Sequence, residues 1–264
     1  MKALSVNLRW LFLERPFLER IDVAARLGFR AVDFSLPYST PAAEIRRRID
    51  ANGVQFVYML SPSGDWDAGE LGIAALPGRE AEFRDGVGLA LDYAGELHCP
   101  LVHVASGILP EGLPREKATG IYLENLAYAA DRAARQGVAI GIEPICRAAH
   151  ARFLVNRTED AVALIEKLGR PNLKLVFDTY HVAMEDGAVT PLIEKHAGRI
   201  AHFQVASPPA RSEPGTGELD FEFLFGVLER SGFAGWVSAE YRPSRPGRES
   251  LDWARRFGVD PARA

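Results

Sequence analysis

Eight short apolar runs alternate with eight amphipathic stretches along these 264 residues, one pair about every 33 residues. Few architectures accept that order. Strand–helix units in strict alternation fold as a parallel sheet covered by helices. Eight of them close as a (β/α)8 barrel, a TIM barrel, more readily than they open as a doubly wound sheet. The strands are expected at 3–7, 31–34, 54–60, 101–105, 138–142, 173–177, 200–205 and 236–239. The helices are expected at 16–27, 41–51, 80–97, 115–136, 158–168, 190–196, 221–231 and 249–257. No linker interrupts the series, so the expectation is an α/β chain with a single domain over 1–264. A glycine-punctuated polar stretch at 61–77 reads as a loop over one barrel mouth.

The sixth run fixes where chemistry should sit. It reads LKLVFDTYH from Leu173 to His181. Its apolar residues Leu173, Leu175, Val176 and Phe177 suit a strand buried on both faces. The run ends at Asp178, and the C-terminal ends of barrel strands are where such folds build their sites. Three other strands end the same way: Glu143 in GIEP, Gln204 in HFQVA and Glu240 in SAEYRP. The four positions are separated by 35, 26 and 36 residues, about one strand–helix unit each. In a closed barrel they face one mouth. Three carboxylates that close repel one another, and a divalent cation removes the conflict. Oxygen ligands favour Mg2+ or Mn2+, with Zn2+ or Co2+ admitted. Taken singly, a strand-end acid is more often a helix cap or salt-bridge partner than a ligand, and a strand-end Gln usually bonds backbone. The recurrence at successive strands carries the metal reading.

Other residues have bland readings beside the functional ones. His181 either bonds a substrate hydroxyl or caps the next helix. His202 shares a strand face with Gln204 by the period of two and reads as a core histidine or a support for the site. His103, inside the fourth strand, reads as structural. In RSEPGTGE, Pro214, Gly215 and Gly217 need only be a turn. Yet Arg211 and Glu213 stand beside the expected metal, where an arginine can grip a substrate carboxylate in bidentate fashion.

Composition narrows the partners. The net charge is −4 and no basic cluster is dense enough for nucleic acid. No apolar run reaches membrane-span length, and the early charges do not suit a signal peptide. Cys99 and Cys146 form no CxxC pair, which favours a reducing, cytoplasmic setting. A small-molecule substrate and a soluble chain, compatible with a homo-oligomer, are the expectation.

Together IEP, FDTYH, HFQVA followed by EPGTGE, and AEYRP resemble the hydroxypyruvate isomerases of the xylose isomerase-like barrels. NLRWLFLERPFLER and GDWDAGELGIAALPGREAEF resemble them too, so the likeness spans nearly the whole chain. It implies a (β/α)8 barrel, a divalent metal, and conversion of hydroxypyruvate to 2-hydroxy-3-oxopropanoate through an enediolate. The family's active-site glutamates fall on Glu143 and Glu240, and its metal ligands on Glu143, Asp178, Gln204 and Glu240. Related sugar epimerases usually carry His where Gln204 stands. Cys146 stands where the family typically has Asn, and Ser212 where it tends to have His. The alternatives are an isomerase or epimerase of a larger hydroxy-keto acid or ketose (2-oxo-tetronate, tagatose or psicose type), a metal-dependent dehydratase or endonuclease-like lyase, and a non-catalytic sugar-acid binder.

Overall fold

A computed structural model describes residues 4–245 and 247–263 of the chain. Residue 3, expected at the start of the first strand, lies outside the described residues. The strands are β1 (Leu4–Asn7), β2 (Ala31–Asp33), β3 (Gln55–Phe56), β4 (Met59–Leu60), β5 (Leu101–His103), β6 (Ala139–Ile142), β7 (Leu173–Asp178), β8 (Ile200–Val205) and β9 (Trp236–Ala239). All pairings are parallel, in the order β3-β2-β1-β9-β8-β7-β6-β5-β4. The two ends of that order, β3 and β4, are separated in the chain only by Val57 and Tyr58. Val57 N–H still donates to Val32 O at 3.0 Å, and Phe34 N–H to Tyr58 O at 3.3 Å. The sheet therefore closes on itself. It is the expected barrel with its third strand interrupted for two residues.

The helices wrap the outside: α1 (Phe17–Leu27), α2 (Ala42–Asn52), α3 (Glu80–Leu97), α4 (Arg115–Ala134), α5 (Thr158–Leu168), α6 (Thr179–Glu185), α7 (Val189–His196) and α8 (Phe221–Arg230). Each buries one stripe, as Ile21, Ala24 and Leu27 do on α1. Helix α1 stops because Gly28 takes a left-handed φ of 97° and closes the last turn onto Ala24 and Ala25. Among the described residues no helix is long and apolar enough to cross a membrane.

Two elements differ from expectation. Helix α6 begins directly at the end of β7, where a loop was expected, because the Asp178 carboxylate caps it by accepting from Tyr180 N–H at 2.7 Å. The last helix is a 3-10 helix, Gly247–Phe257, rather than an α-helix. Leu251 and Ala254 are buried and Phe257 packs against the core beside them. That spacing of three matches the three-residue turn of a 3-10 helix.

Alternation along the strands sends one set of side chains outward to the helices and the other into the lumen, where a small apolar cluster of Leu60, Leu101 and Val176 lies among polar groups. Ser238 of β9 donates its hydroxyl to Asp33 of β2 at 2.8 Å. β1 lies between those strands, so the bond crosses the barrel interior. The lumen leads up to the mouth where Glu143, Gln204 and Glu240 stand.

Candidate active site

Glu143 follows β6, Asp178 ends β7, Gln204 lies in β8 and Glu240 follows β9; all four are buried. Parallel register sets Asp178 beside Gln204 and Gln204 beside Ser238, two residues before Glu240. The four share the C-terminal rim, as their sequence spacing requires. A cavity of about 730 Å³ opens above them, with Glu143, His181, Arg211 and Glu240 in its wall. Asp178 and Gln204 lie just under that wall, bonded to Arg211 and Glu240 respectively.

Arg211 is at the centre. Its Nη2 donates to Asp178 Oδ2 at 2.9 Å and to Glu240 Oε1 at 3.0 Å. Both Nη2 protons are thereby committed to protein carboxylates. The guanidinium sits over Trp10 at 4.8 Å and Tyr180 at 5.2 Å. Its backbone is left-handed, with φ 55°, on a loop closed by paired bonds between Ser207 and Ser212. A non-glycine residue held there carries strain, and such strain gathers at functional sites. The bidentate grip on a substrate carboxylate expected of Arg211 would need Nη2, which this geometry engages elsewhere.

The carboxylates are poised away from their ordinary values. Burial pushes Glu143 well up, and repulsion from Glu240 and Asp178 adds to it. Burial raises Glu240 to about 8, against the pull of Arg211. Asp178 is raised by burial and held back by Arg211. Burial works against the Arg211 charge, but attraction to Asp178, Glu240 and Glu143 outweighs it and raises its pKa. Three carboxylates against one guanidinium leave two negative charges uncompensated when all are ionised. Gln204 donates its amide N–H to Glu240 Oε2 at 2.6 Å, and its buried carbonyl oxygen has no hydrogen-bond partner among the described residues. Excess negative charge and an orphaned neutral oxygen fit a hard divalent cation.

His181 adds a ring nitrogen within 4.8 Å of Glu143 and Asp178 oxygens. Its Nδ1 accepts the Cys146 backbone N–H at 3.3 Å, with the Cys146 sulfur 3.2 Å away. The imidazole proton therefore sits on Nε2, which points to Asp178 Oδ2 at 3.7 Å and Glu143 Oε1 at 3.8 Å. Burial holds the ring neutral, helped by the charge of Arg211. His181 offers the site an N–H donor rather than a lone pair, and it lies in the first turn of α6 without capping it.

Glu213 is brought elsewhere. Its carboxylate accepts from Ser244 N–H at 2.8 Å and Ser244 hydroxyl at 2.7 Å, so it braces the loop after β9. Those bonds hold it below the ordinary carboxylate value despite burial.

Several residues at the site were not singled out by sequence reasoning. Asn7 donates to Glu240 Oε2 at 2.7 Å; its place at a strand end was the available signal. Tyr58, in the interrupted third strand, lies 2.9 Å from His103 Nδ1 and donates to Glu143 Oε2 at 3.4 Å. Nothing in the sequence marks that interruption. His103 lines the cavity rather than serving the core alone. His202 stacks flat on Tyr58 at 4.6 Å and is neutral, its pKa lowered to about 3 by burial.

The sequence profile described as Xylose isomerase-like TIM barrel matches residues 21–257. A 2-oxo-tetronate isomerase of Cupriavidus necator is 42% identical over 257 residues, covering 97% of this chain and 99% of that protein. A hydroxypyruvate isomerase of Escherichia coli is 39% identical over 263 residues, covering all of both. Among solved structures, one titled AP endonuclease, family 2, from Brucella melitensis superposes with a TM-score of 0.94 at 41% identity. It covers 97% of this chain and 99% of that one.

Proposed function

This chain belongs to the xylose isomerase-like TIM barrel family, and from that premise we propose that it isomerises a small 2-keto acid carrying a 3-hydroxyl. Hydroxypyruvate, yielding 2-hydroxy-3-oxopropanoate, is the smallest such substrate. The observation that carries the reading is the pair Glu143 and Glu240, buried at one mouth and both raised by burial and by neighbouring carboxylates. Such a pair shares a proton: one member is a base while the other is an acid, which is what moving a proton between adjacent carbons requires.

One glutamate takes the proton from C3, and the electron pair passes through an enediolate to C2. The other glutamate returns a proton to C2, while the hydroxyl proton moves from the C3 oxygen to the C2 oxygen. The carbonyl ends on C3 with no change in composition and no redox cofactor. His181 Nε2–H holds a substrate oxygen, and Arg211 keeps Asp178 and Glu240 in place. Glu143, Asp178, Gln204 and Glu240 would hold a divalent cation, Mg2+ or Mn2+ first and Zn2+ or Co2+ next, which when bound supplies Lewis-acid polarisation of the substrate oxygens.

A second reading, the four-carbon 2-oxo-tetronate, is supported by the 42% identity to the Cupriavidus necator 2-oxo-tetronate isomerase, and the 730 Å³ cavity has room for it. It bears CH2OH in place of one C3 hydrogen and undergoes the same proton shift. An acidic centre and a net charge of −4 do not suit a nucleic acid substrate. The test is turnover of both acids by wild type, Glu143→Gln and Glu240→Gln with Mn2+ present. Each variant should lose about 100-fold or more in kcat; either one keeping near-normal turnover at saturation rejects the two-glutamate mechanism.

A further inference from the structure

The reading of an acid substrate leaves its carboxylate without an obvious partner. Arg211 spends Nη2 on Asp178 and Glu240. Two other arginines line the cavity, Arg9 and Arg242. Arg242 is exposed and lies 5.4 Å from the Trp10 ring. Arg9 is half-buried, and its guanidinium carbon lies over the Trp66 ring, 4.0 Å from its centroid. Among the described residues Arg9 makes no side-chain hydrogen bond or ion pair. The charges that reach it are Glu240 and Asp67, which offset part of the cost of its burial.

Its placement is built. Asn7 Oδ1 accepts the Arg9 backbone N–H at 2.9 Å, and Asn7 Nδ2 donates to Glu240 Oε2 at 2.7 Å. One amide therefore ties the Arg9 backbone to a candidate catalytic carboxylate. Trp66 in turn is pinned through Nε1 to Ser63 Oγ at 2.5 Å. A planar, permanently charged fork over a hydrogen-bonded indole, beside the proton-transfer site and in direct contact with no protein carboxylate among the described residues, is a carboxylate receptor awaiting its ligand.

We infer that Arg9, on its Trp66 platform, binds the C1 carboxylate of the substrate and sets the preference for 2-keto acids over uncharged ketoses. This rests on the isomerase reading above and adds which residue reads the charge. In both candidate acids C1 is bonded to C2, so a carboxylate held beside Glu240 leaves C2 and C3 at the two glutamates.

The experiment compares 2-oxo-tetronate with erythrulose, which has CH2OH where the acid has its carboxylate, and titrates glycerate as an unreactive carboxylate probe. Arg9→Met should lower the ratio of kcat/KM for acid over ketose by about 30-fold or more, chiefly through KM. It should weaken glycerate binding by a similar factor, and Arg9→Lys should recover part of both. Both variants keep the backbone bond to Asn7, and thermal melts confirm folding. A ratio within about threefold of wild type in Arg9→Met, a shift produced by Arg242→Met instead, or wild-type protein that fails to bind glycerate overturns the inference. If wild type turns over neither acid nor ketose, the isomerase reading fails, and the glycerate titration alone decides Arg9.

Discussion

Removing the Arg211 guanidinium is the perturbation with the clearest structural forecast. It contributes two charge-assisted hydrogen bonds, of 2.9 and 3.0 Å, to carboxylates almost shielded from water. Withdrawing one partner of such a buried arrangement costs about 3–5 kcal/mol, because the remaining charges are left uncompensated. Protonation of Glu240, already raised to about 8, relieves part of that strain, and the same protonation removes a base. A loss of about 3 kcal/mol in transition-state stabilisation corresponds to roughly 100-fold in kcat/KM. Arg211→Met should show that loss on 2-oxo-tetronate and on erythrulose alike, keeping their ratio within about threefold. Arg211→Lys should fall between, since a point charge cannot bridge both acids with the same geometry. The backbone gives an independent check. At φ 55° a glycine is unstrained, so Arg211→Gly should be more stable than Arg211→Ala by about 1 kcal/mol in urea unfolding. Loss confined to the acid substrate would refute the reasoning, for it would mean that Arg211 leaves its protein carboxylates to hold the substrate.

If Gln204 supplies a neutral oxygen ligand, Gln204→Leu should weaken the Mn2+ dissociation constant by about 10-fold or more, read from the metal-induced rise in melting temperature; an unchanged constant removes Gln204 from the ligand set. Asp33 is raised to about 7 from 3.8 by burial, against the bond donated by the Ser238 hydroxyl. Between those pH values the native protein keeps a proton that the unfolded chain has lost, so stability falls as pH rises from about 4 to about 7. Asp33→Asn should flatten that fall by up to about 4 kcal/mol in chelator-treated protein, and an identical pH profile would contradict it. Gly107 has φ 100°, and a Cβ there would lie 2.2 Å from Gly72 O, where the 61–77 loop crosses the loop after β5. Gly107→Ala should cost more than about 2 kcal/mol, whereas Gly53→Ala, with open space around it, should cost about 1 kcal/mol; equal costs would show that the crossing yields freely.

The alternation of strands and helices was written in the sequence because each pattern is a local periodicity, and burial on a curved parallel sheet leaves the chain little choice. Glu143, Asp178, Gln204 and Glu240 were legible for the same reason: a strand end has one position in a barrel, so spacing along the chain becomes adjacency in space. Two local features escaped that logic. The break at Val57–Tyr58 depends on bonds to Val32 and Phe34, which no window of sequence contains, whereas the helix starting at Thr179 rests on a short-range cap between Asp178 and Tyr180. What only the tertiary structure decided is how charged groups divide among partners. Glu213 and Arg211 share one loop, yet Glu213 turns to Ser244 while a left-handed residue swings Arg211 between Asp178 and Glu240. Arg9 and Trp66 lie 57 residues apart in the chain and meet at 4.0 Å over the mouth. Sequence fixes which side chains reach the rim, because that follows from period and topology. Which of them neutralise one another, and which remain to meet a ligand, follows from distances of a few ångströms between chain-distant atoms, where electrostatic energy changes most steeply.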